Sequence, residues 1–271
     1  MSALSGTQAP PREPAAEGAR RRVPAAAWAL GAVVPLLLLA AWQLSSTLGV
    51  FSRYQLPPPL DVLRAAGDMW STGALQANVA ISVQRVAQGF AVGAGLGVVL
   101  GGLTGLSRLA DRMLSPMFGA LRAVPSLAWV PLLGLWIGLG ETPKIVLIAI
   151  GAFFPVFTTV YSALSHLDPA MVEVGRAYGR RGLRLFTEIL LPATAPSLLS
   201  GLRLGLAQSW LFLVAAEIIA SSVGLGFQLI NGQNQGRTDQ MLLAIVLLAV
   251  LGKLSDVVLG LVEARVKASR G

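Results

Sequence analysis

DPAMVEVGRAYGRRGLRLFTEILLP, Asp168 to Pro192, is the longest polar interruption between apolar segments once the N-terminal third is set aside. It carries Arg176, Arg180, Arg181 and Arg184, and basic residues concentrate on the cytoplasmic side of membrane proteins. The stretch reads as two short helices. Asp168 supplies an N-cap and Pro169 suits a first helical turn. Gly179 and Gly182 break the run, and Pro192 follows the second helix. So structured a cytoplasmic segment between two spans predicts a partner that docks on it.

Composition agrees with a membrane setting. Of 271 residues, 54% are hydrophobic and 13% charged, against about 25% charged in soluble domains. There is no cysteine and one histidine, His166, so disulfides, thiolate sites and histidine-based metal sites or triads are not expected. No paired carboxylates or serine-nucleophile motif stand out, and no catalytic residue is assigned.

Outward from the central segment the chain resolves into spans. Residues 1–24, rich in Ala, Pro, Gly and Arg, read as a disordered cytoplasmic tail. Val23 to Ser52 holds no charge, which is too long for a signal h-region. A first span over residues 25–48 would reach about 36 Å as a helix, enough for a ~30 Å hydrocarbon core with tilt. Residues 49–85 form an outer segment in which Asp61 to Trp70 is a short amphipathic helix. A core of five spans runs from 86 to 267, with spans at Val86–Ser107, Ala123–Leu139 (interrupted by Pro125 and Pro131), Ile145–Ser165, Pro196–Ile219 and Asp239–Val262. Gly89, Gly93, Gly97, Gly101 and Gly105 recur every four residues, a spacing that lets helix backbones approach closely in lipid. They read as an internal packing seam.

Charge placement orients these six spans. Fourteen cations fall on one side: Arg12, Arg20, Arg21, Arg22, Arg108, Arg112, Arg122, the four of the central segment, Arg265, Lys267 and Arg270. Five fall on the other: Arg53, Arg64, Arg85, Lys144 and Arg237. The bias predicts both termini in the cytoplasm. It accounts for the net charge of +8 without a nucleic-acid partner.

Charges inside spans invite functional readings, because each costs about 2.5–3.5 kcal/mol at mid-membrane. Glu217 either faces an aqueous path or sits as a lone acid near the outer interface beside Ser221. Gln208 and Ser209 are path candidates by polarity. Lys253 and Asp256 share a helix face and should pair, and Arg203 can snorkel inward. There is no G-x-x-x-x-G-K-[ST] motif for phosphate, so this chain holds no ATP or Mg by that route.

The spacing Glu173-Val174-Gly175, Gly179, then Ile189, Leu191 and Pro192 resembles the "EAA" loop of permease subunits of ATP-binding cassette (ABC) importers. Gly175 stands where the family usually has Ala. Leu121–Ser126, Leu135–Gly140, Ala215–Ile219 and Gly252–Asp256 extend the resemblance toward the permeases for aliphatic sulfonates, kin to those for taurine, nitrate and bicarbonate. It implies an all-α, six-span, type I importer permease in the inner membrane, working as a homodimer. It further implies two cytoplasmic ATPases, which would hold the ATP and Mg, and an extracytoplasmic binding protein. Glu173, Val174, Gly175, Arg176, Ala177, Tyr178 and Gly179, with Ile189, Leu191 and Pro192, would couple to the ATPase. A stand-alone six-span channel or secondary transporter fits hydropathy alone, but neither needs to grip an ATPase.

Overall fold

The computed structural model describes residues 25–268. The expected tail over 1–24 and Arg270 lie outside the described residues. Eleven α-helices occur among those described, and no strand. Four helical runs are long and apolar enough to cross a bilayer: 74–106, 141–165, 186–219 and 238–265. They belong to α3 (Ala74–Leu106), α6 (Glu141–Ser165), α9 (Leu191–Ala220) and α11 (Thr238–Ala268). α1 (Ala25–Thr47) holds a shorter apolar run over 33–47.

α3, α6 and α9 make the centre. The glycine row of α3 lies along α6. A side chain built at Gly93 would collide with the Ala149 carbonyl, one at Gly97 would meet Phe153 and Val156, and one at Gly101 would meet the Phe157 carbonyl at 2.8 Å. Helix association in lipid lacks a hydrophobic driving force, so such backbone-to-backbone packing sets which helices adjoin. Ile148, Val156 and Leu213, all fully buried, fill the space between α6 and its neighbours.

Two of the expected spans change. α3 begins at Ala74 rather than near Val86, because the polar residues of its first turns are satisfied inside the protein, as described below. The expected span over 123–139 is broken. α4 (Arg108–Ala123) ends where Val124 turns extended before Pro125, as residues before proline prefer. A 3-10 turn (Ser126–Ala128) and the nine-residue α5 (Trp129–Ile137) follow. Phe118 fixes α4 against Phe157 of α6 at a ring separation of 4.6 Å, and the Tyr161 hydroxyl donates to Asp111 at 2.8 Å.

Shorter helices connect the ends of these long ones. α2 (Pro59–Ser71) is amphipathic and buries Val62, Ala65 and Met69. α1 is tied to the segment before it: Trp42 Nε1 donates to the Pro57 carbonyl at 2.9 Å. Between α9 and α11 lies a ten-residue helix, α10 (Leu225–Asn234). α7 (Pro169–Ala177) and α8 (Gly182–Leu185) lie between α6 and α9. Pro192 does not follow a separate second helix. α8 passes through a π turn (Phe186–Leu190) directly into α9. Leu191 N–H reaches back to the Phe186 carbonyl in that turn, the i−5 pairing of a π bulge. The wider turn lets the helix continue past a proline that has no N–H to offer.

Candidate functional site

Two constellations stand at opposite ends of α6. The first is α7. Asp168 caps it, its carboxylate accepting from Ala170 N–H at 2.9 Å. Its other end is closed by paired reverse bonds: Gly179 N–H to the Arg176 carbonyl at 2.9 Å and Arg180 N–H to the Gly175 carbonyl at 3.0 Å. Gly179 adopts φ +74°, the left-handed conformation this motif requires. Gly175 is buried, and a Cβ there would come within 2.6 Å of the side-chain ends of Leu185 and Ile189. The glycine that departs from the usual alanine therefore sits where α7 rests on the π turn. Arg180 and Glu188 tie the same junction by an exposed ion pair at 2.8 Å.

With Gly175 and Val172 turned inward, the rest of α7 is presented outward. Met171 is 41% exposed, Val174 56% and Tyr178 81%. These three apolar groups recur at the spacing of one helix face. On the other flank, Glu173 and Arg176 border a cavity of about 950 Å³ whose walls include Leu106, Leu164, Leu185 and Phe186. Ala177 is exposed, Ile189 and Leu191 are half-buried, and Pro192 lies in the first turn of α9.

The second constellation was not legible as a unit. Glu217, a candidate for the path or a lone acid, is fully enclosed and ion-paired. Arg85 Nη1 reaches its Oε1 at 2.7 Å. Ser82 Oγ donates at 2.8 Å and Gly226 N–H at 2.8 Å. Arg85, counted above with the outer segment, is 3% exposed. Its Nε and Nη2 grip both oxygens of Glu141, each at 2.7 Å. Lys144 Nζ shares Glu141 Oε1 at 2.9 Å. Two cations and two carboxylates thus form one chain of contacts joining α3, α6 and α9.

The turn before α10 is held by the same residues. Asn78 Oδ1 accepts from Gly224 N–H and Ser82 Oγ from Leu225 N–H, both at 2.9 Å. Arg85 Nη1 also donates to the Val223 carbonyl at 2.7 Å. Gly224 has φ +132°, and a Cβ there would strike the Glu217 carboxylate. One signal was present in the sequence: Asn78, Ser82 and Arg85 fall on the α3 face that Gly89 and Gly93 continue. A polar stripe running into a glycine seam points inward.

Of the other path candidates, Ser209 is fully buried and donates to the Gly205 carbonyl at 2.9 Å, whereas Gln208 is exposed. Ser209 and Glu217 therefore face neighbouring helices within the chain. Arg203 does not run free to the surface. It bridges Asp256 at 2.8 Å and Glu263 at 3.1 Å, joining α9 to α11, and Lys253 pairs with Asp256 at 3.3 Å. Among the described residues no group of acidic or histidine side chains could hold a metal.

Comparison with known proteins adds three findings. Residues 93–268 match the family model described as "Binding-protein-dependent transport system inner membrane component". The chain is 37% identical over 236 residues, 87% of its length and 86% of the relative's, to "Putative aliphatic sulfonates transport permease protein SsuC" of Bacillus subtilis (strain 168). It is 38% identical over 230 residues, 85% and 88% of the two chains, to the protein of the same name in Escherichia coli (strain K12). In structure it is similar to a chain of the MetNI methionine ABC transporter solved in inward facing conformations. There the TM-score is 0.58 at 21% identity, covering 74% of this chain and 98% of that one.

Proposed function

The chain belongs to the family of binding-protein-dependent transport system inner membrane components, and on that premise we propose that it carries aliphatic sulfonates across the cytoplasmic membrane. It is the multi-pass permease subunit of an ABC importer and has the type I importer fold. Permease subunits of this kind are not themselves enzymes. In the proposed assembly two copies form the path, two cytoplasmic ATPases bind ATP and Mg, and an extracytoplasmic binding protein delivers the solute. Both termini of each copy lie in the cytoplasm.

The observation that carries the coupling half of this reading is the exposed row Met171, Val174 and Tyr178 on α7, an apolar face on a capped helix outside every apolar span. An exposed apolar patch of this kind marks an interaction surface. The ATPase would cover it, with Glu173 as the anchoring charge and Arg176 as a second polar contact. Gly179 shapes the turn, and Ile189 and Leu191 seat α7 beneath the spans. Pro192 sets the π turn through which α7's motion enters α9. Nucleotide binding to the partner would then bias a two-state permease through α7.

The coupling claim is testable in membranes. Glu173→Arg and Val174→Asp should leave permease abundance unchanged while lowering ATPase recovery with a tagged permease about tenfold, ~1.4 kcal/mol of binding. ATPase recovered at the wild-type level with both variants would remove α7 as the docking face.

The substrate half rests on the two sulfonate-named relatives. A strain lacking this gene should fail to grow on an alkanesulfonate as sole sulfur source and grow normally on sulfate. The intact gene should restore growth and a Glu173→Arg copy should not. Normal growth on the alkanesulfonate, with a defect on taurine or on nitrate as nitrogen source, would keep the importer and replace the substrate.

A further inference from the structure

Glu141 is the one member of the ion cluster that water reaches freely. Its side chain is 52% exposed, against 3% for Arg85, 5% for Lys144 and none for Glu217. Yet Glu141 is held as a bound oxyanion would be. Arg85 grips it through two parallel N–H bonds of 2.7 Å, and Lys144 adds a third at 2.9 Å to the oxygen that Arg85 Nη2 already holds. A guanidinium fork of this kind suits carboxylates and other oxyanions alike.

Lys144 also borders a cavity of about 200 Å³. Its other walls are apolar, among them Val130, Leu133, Leu139, Leu147 and Ile219. Glu141 opens α6 directly after the turn between α5 and α6, whose Gly138 and Leu139 line this cavity. Gly138 and Gly140 of that turn adopt φ +90° and +150°. Two buried cations, a half-exposed carboxylate between them and an apolar hollow beside the lysine therefore share one place.

We propose that Arg85 and Lys144 form an oxyanion site that Glu141 fills as a tethered placeholder, and that a small organic oxyanion with a short apolar tail displaces it. The head of the ligand lies on the two cations and the tail in the cavity. This rests on the reading of the chain as a carrier of small organic anions and gives that solute a stopping point. Charge balance favours the exchange. The cluster holds two cations and two carboxylates, so replacing Glu141 by another anion leaves it neutral. Glu217, enclosed and held by Ser82, Arg85 and Gly226, stays as the permanent counter-ion. Glu141, already half in water, completes its hydration when it swings out, and the incoming anion takes over the bonds it leaves.

The test is calorimetric titration of the detergent-solubilised, full-length permease with methanesulfonate, butanesulfonate, butanoate and butylammonium. The anions should bind and butylammonium should not. Affinity should rise roughly fourfold for each methylene that enters the cavity. Glu141→Gln removes the competing charge and should tighten butanesulfonate at least tenfold, and adding Lys144→Met should abolish that gain. Gly134 lines the same cavity, and a Cβ there meets open space. Gly134→Val should therefore erase the dependence on tail length while methanesulfonate still binds. This variant decides the matter if Glu141→Gln is not monodisperse. Binding of butylammonium, an unchanged affinity in Glu141→Gln, or a surviving tail dependence in Gly134→Val would overturn the site. Any of these with alkanesulfonate growth intact removes the site alone. Glu141-dependent butanesulfonate binding without a sulfonate growth phenotype removes the substrate assignment alone.

Discussion

Glu217→Ala is expected to destabilise the folded permease by about 3–5 kcal/mol, the range for stranding one partner of a buried ion pair. The loss is larger than that of one contact. Arg85 keeps its charge at 3% exposure, and Gly226 N–H and Ser82 Oγ lose their acceptor. A buried donor left unsatisfied costs about 1–3 kcal/mol. The turn that leads into α10 is organised around the same carboxylate, so α10 should loosen with it. Thermal unfolding in detergent, followed by size-exclusion chromatography, measures the effect. Arg85→Met combined with Glu217→Leu should recover much of the loss, because deleting both charges leaves no uncompensated ion. A Glu217→Ala protein as stable as the wild type would show that the cluster does not hold this end together.

The second large effect should come from Gly93→Val. A side chain at Gly93 falls on the Ala149 carbonyl of α6, and a backbone atom cannot turn aside as a side-chain end can. α3 and α6 must separate, and Gly89, Gly97 and Gly101 would lose close approach along the same line. Overpacking costs about 1–3 kcal/mol in ordinary cores. Here it should reach the top of that range or beyond, since association in lipid depends on this fit. Gly95→Val is the control: it lies on the same helix, and a Cβ there meets nothing within 4 Å. It should alter the unfolding temperature little. Equal losses for the two variants would mean that helix propensity, not the seam, sets the cost.

What was legible along the chain was local. Asp168, Pro169 and Gly179 mark α7 through capping chemistry that involves only near neighbours, and the four-residue glycine spacing marks the buried face of α3. The spacing from Glu173 to Pro192 that resembles an EAA loop pointed to the importer class, and it too lies within one short segment. Contacts between distant residues were not legible. Arg85 and Glu217 lie 132 positions apart, and nothing in the periodicity of either helix announces the other. Arg85 therefore read as an outer charge and Glu217 as an isolated acid. Pro192 misled in a different way. It usually marks a helix end, but the π turn before it absorbs the missing donor. Pro125 did break its span, because no such turn precedes it.

That unbroken passage from α8 into α9 has a mechanical consequence. α9 has 30 residues, so it spans about 45 Å at 1.5 Å per residue. At one end it is joined, through the π turn, to the rest beneath α7, and at the other it carries Glu217 into the ion cluster. Between them only Pro196, one turn into the helix, interrupts the backbone ladder, so beyond it α9 would act as a crankshaft. A tilt imposed from below at α7 would either reach the Arg85 grip above or be absorbed in the π turn and at Pro196 just after it.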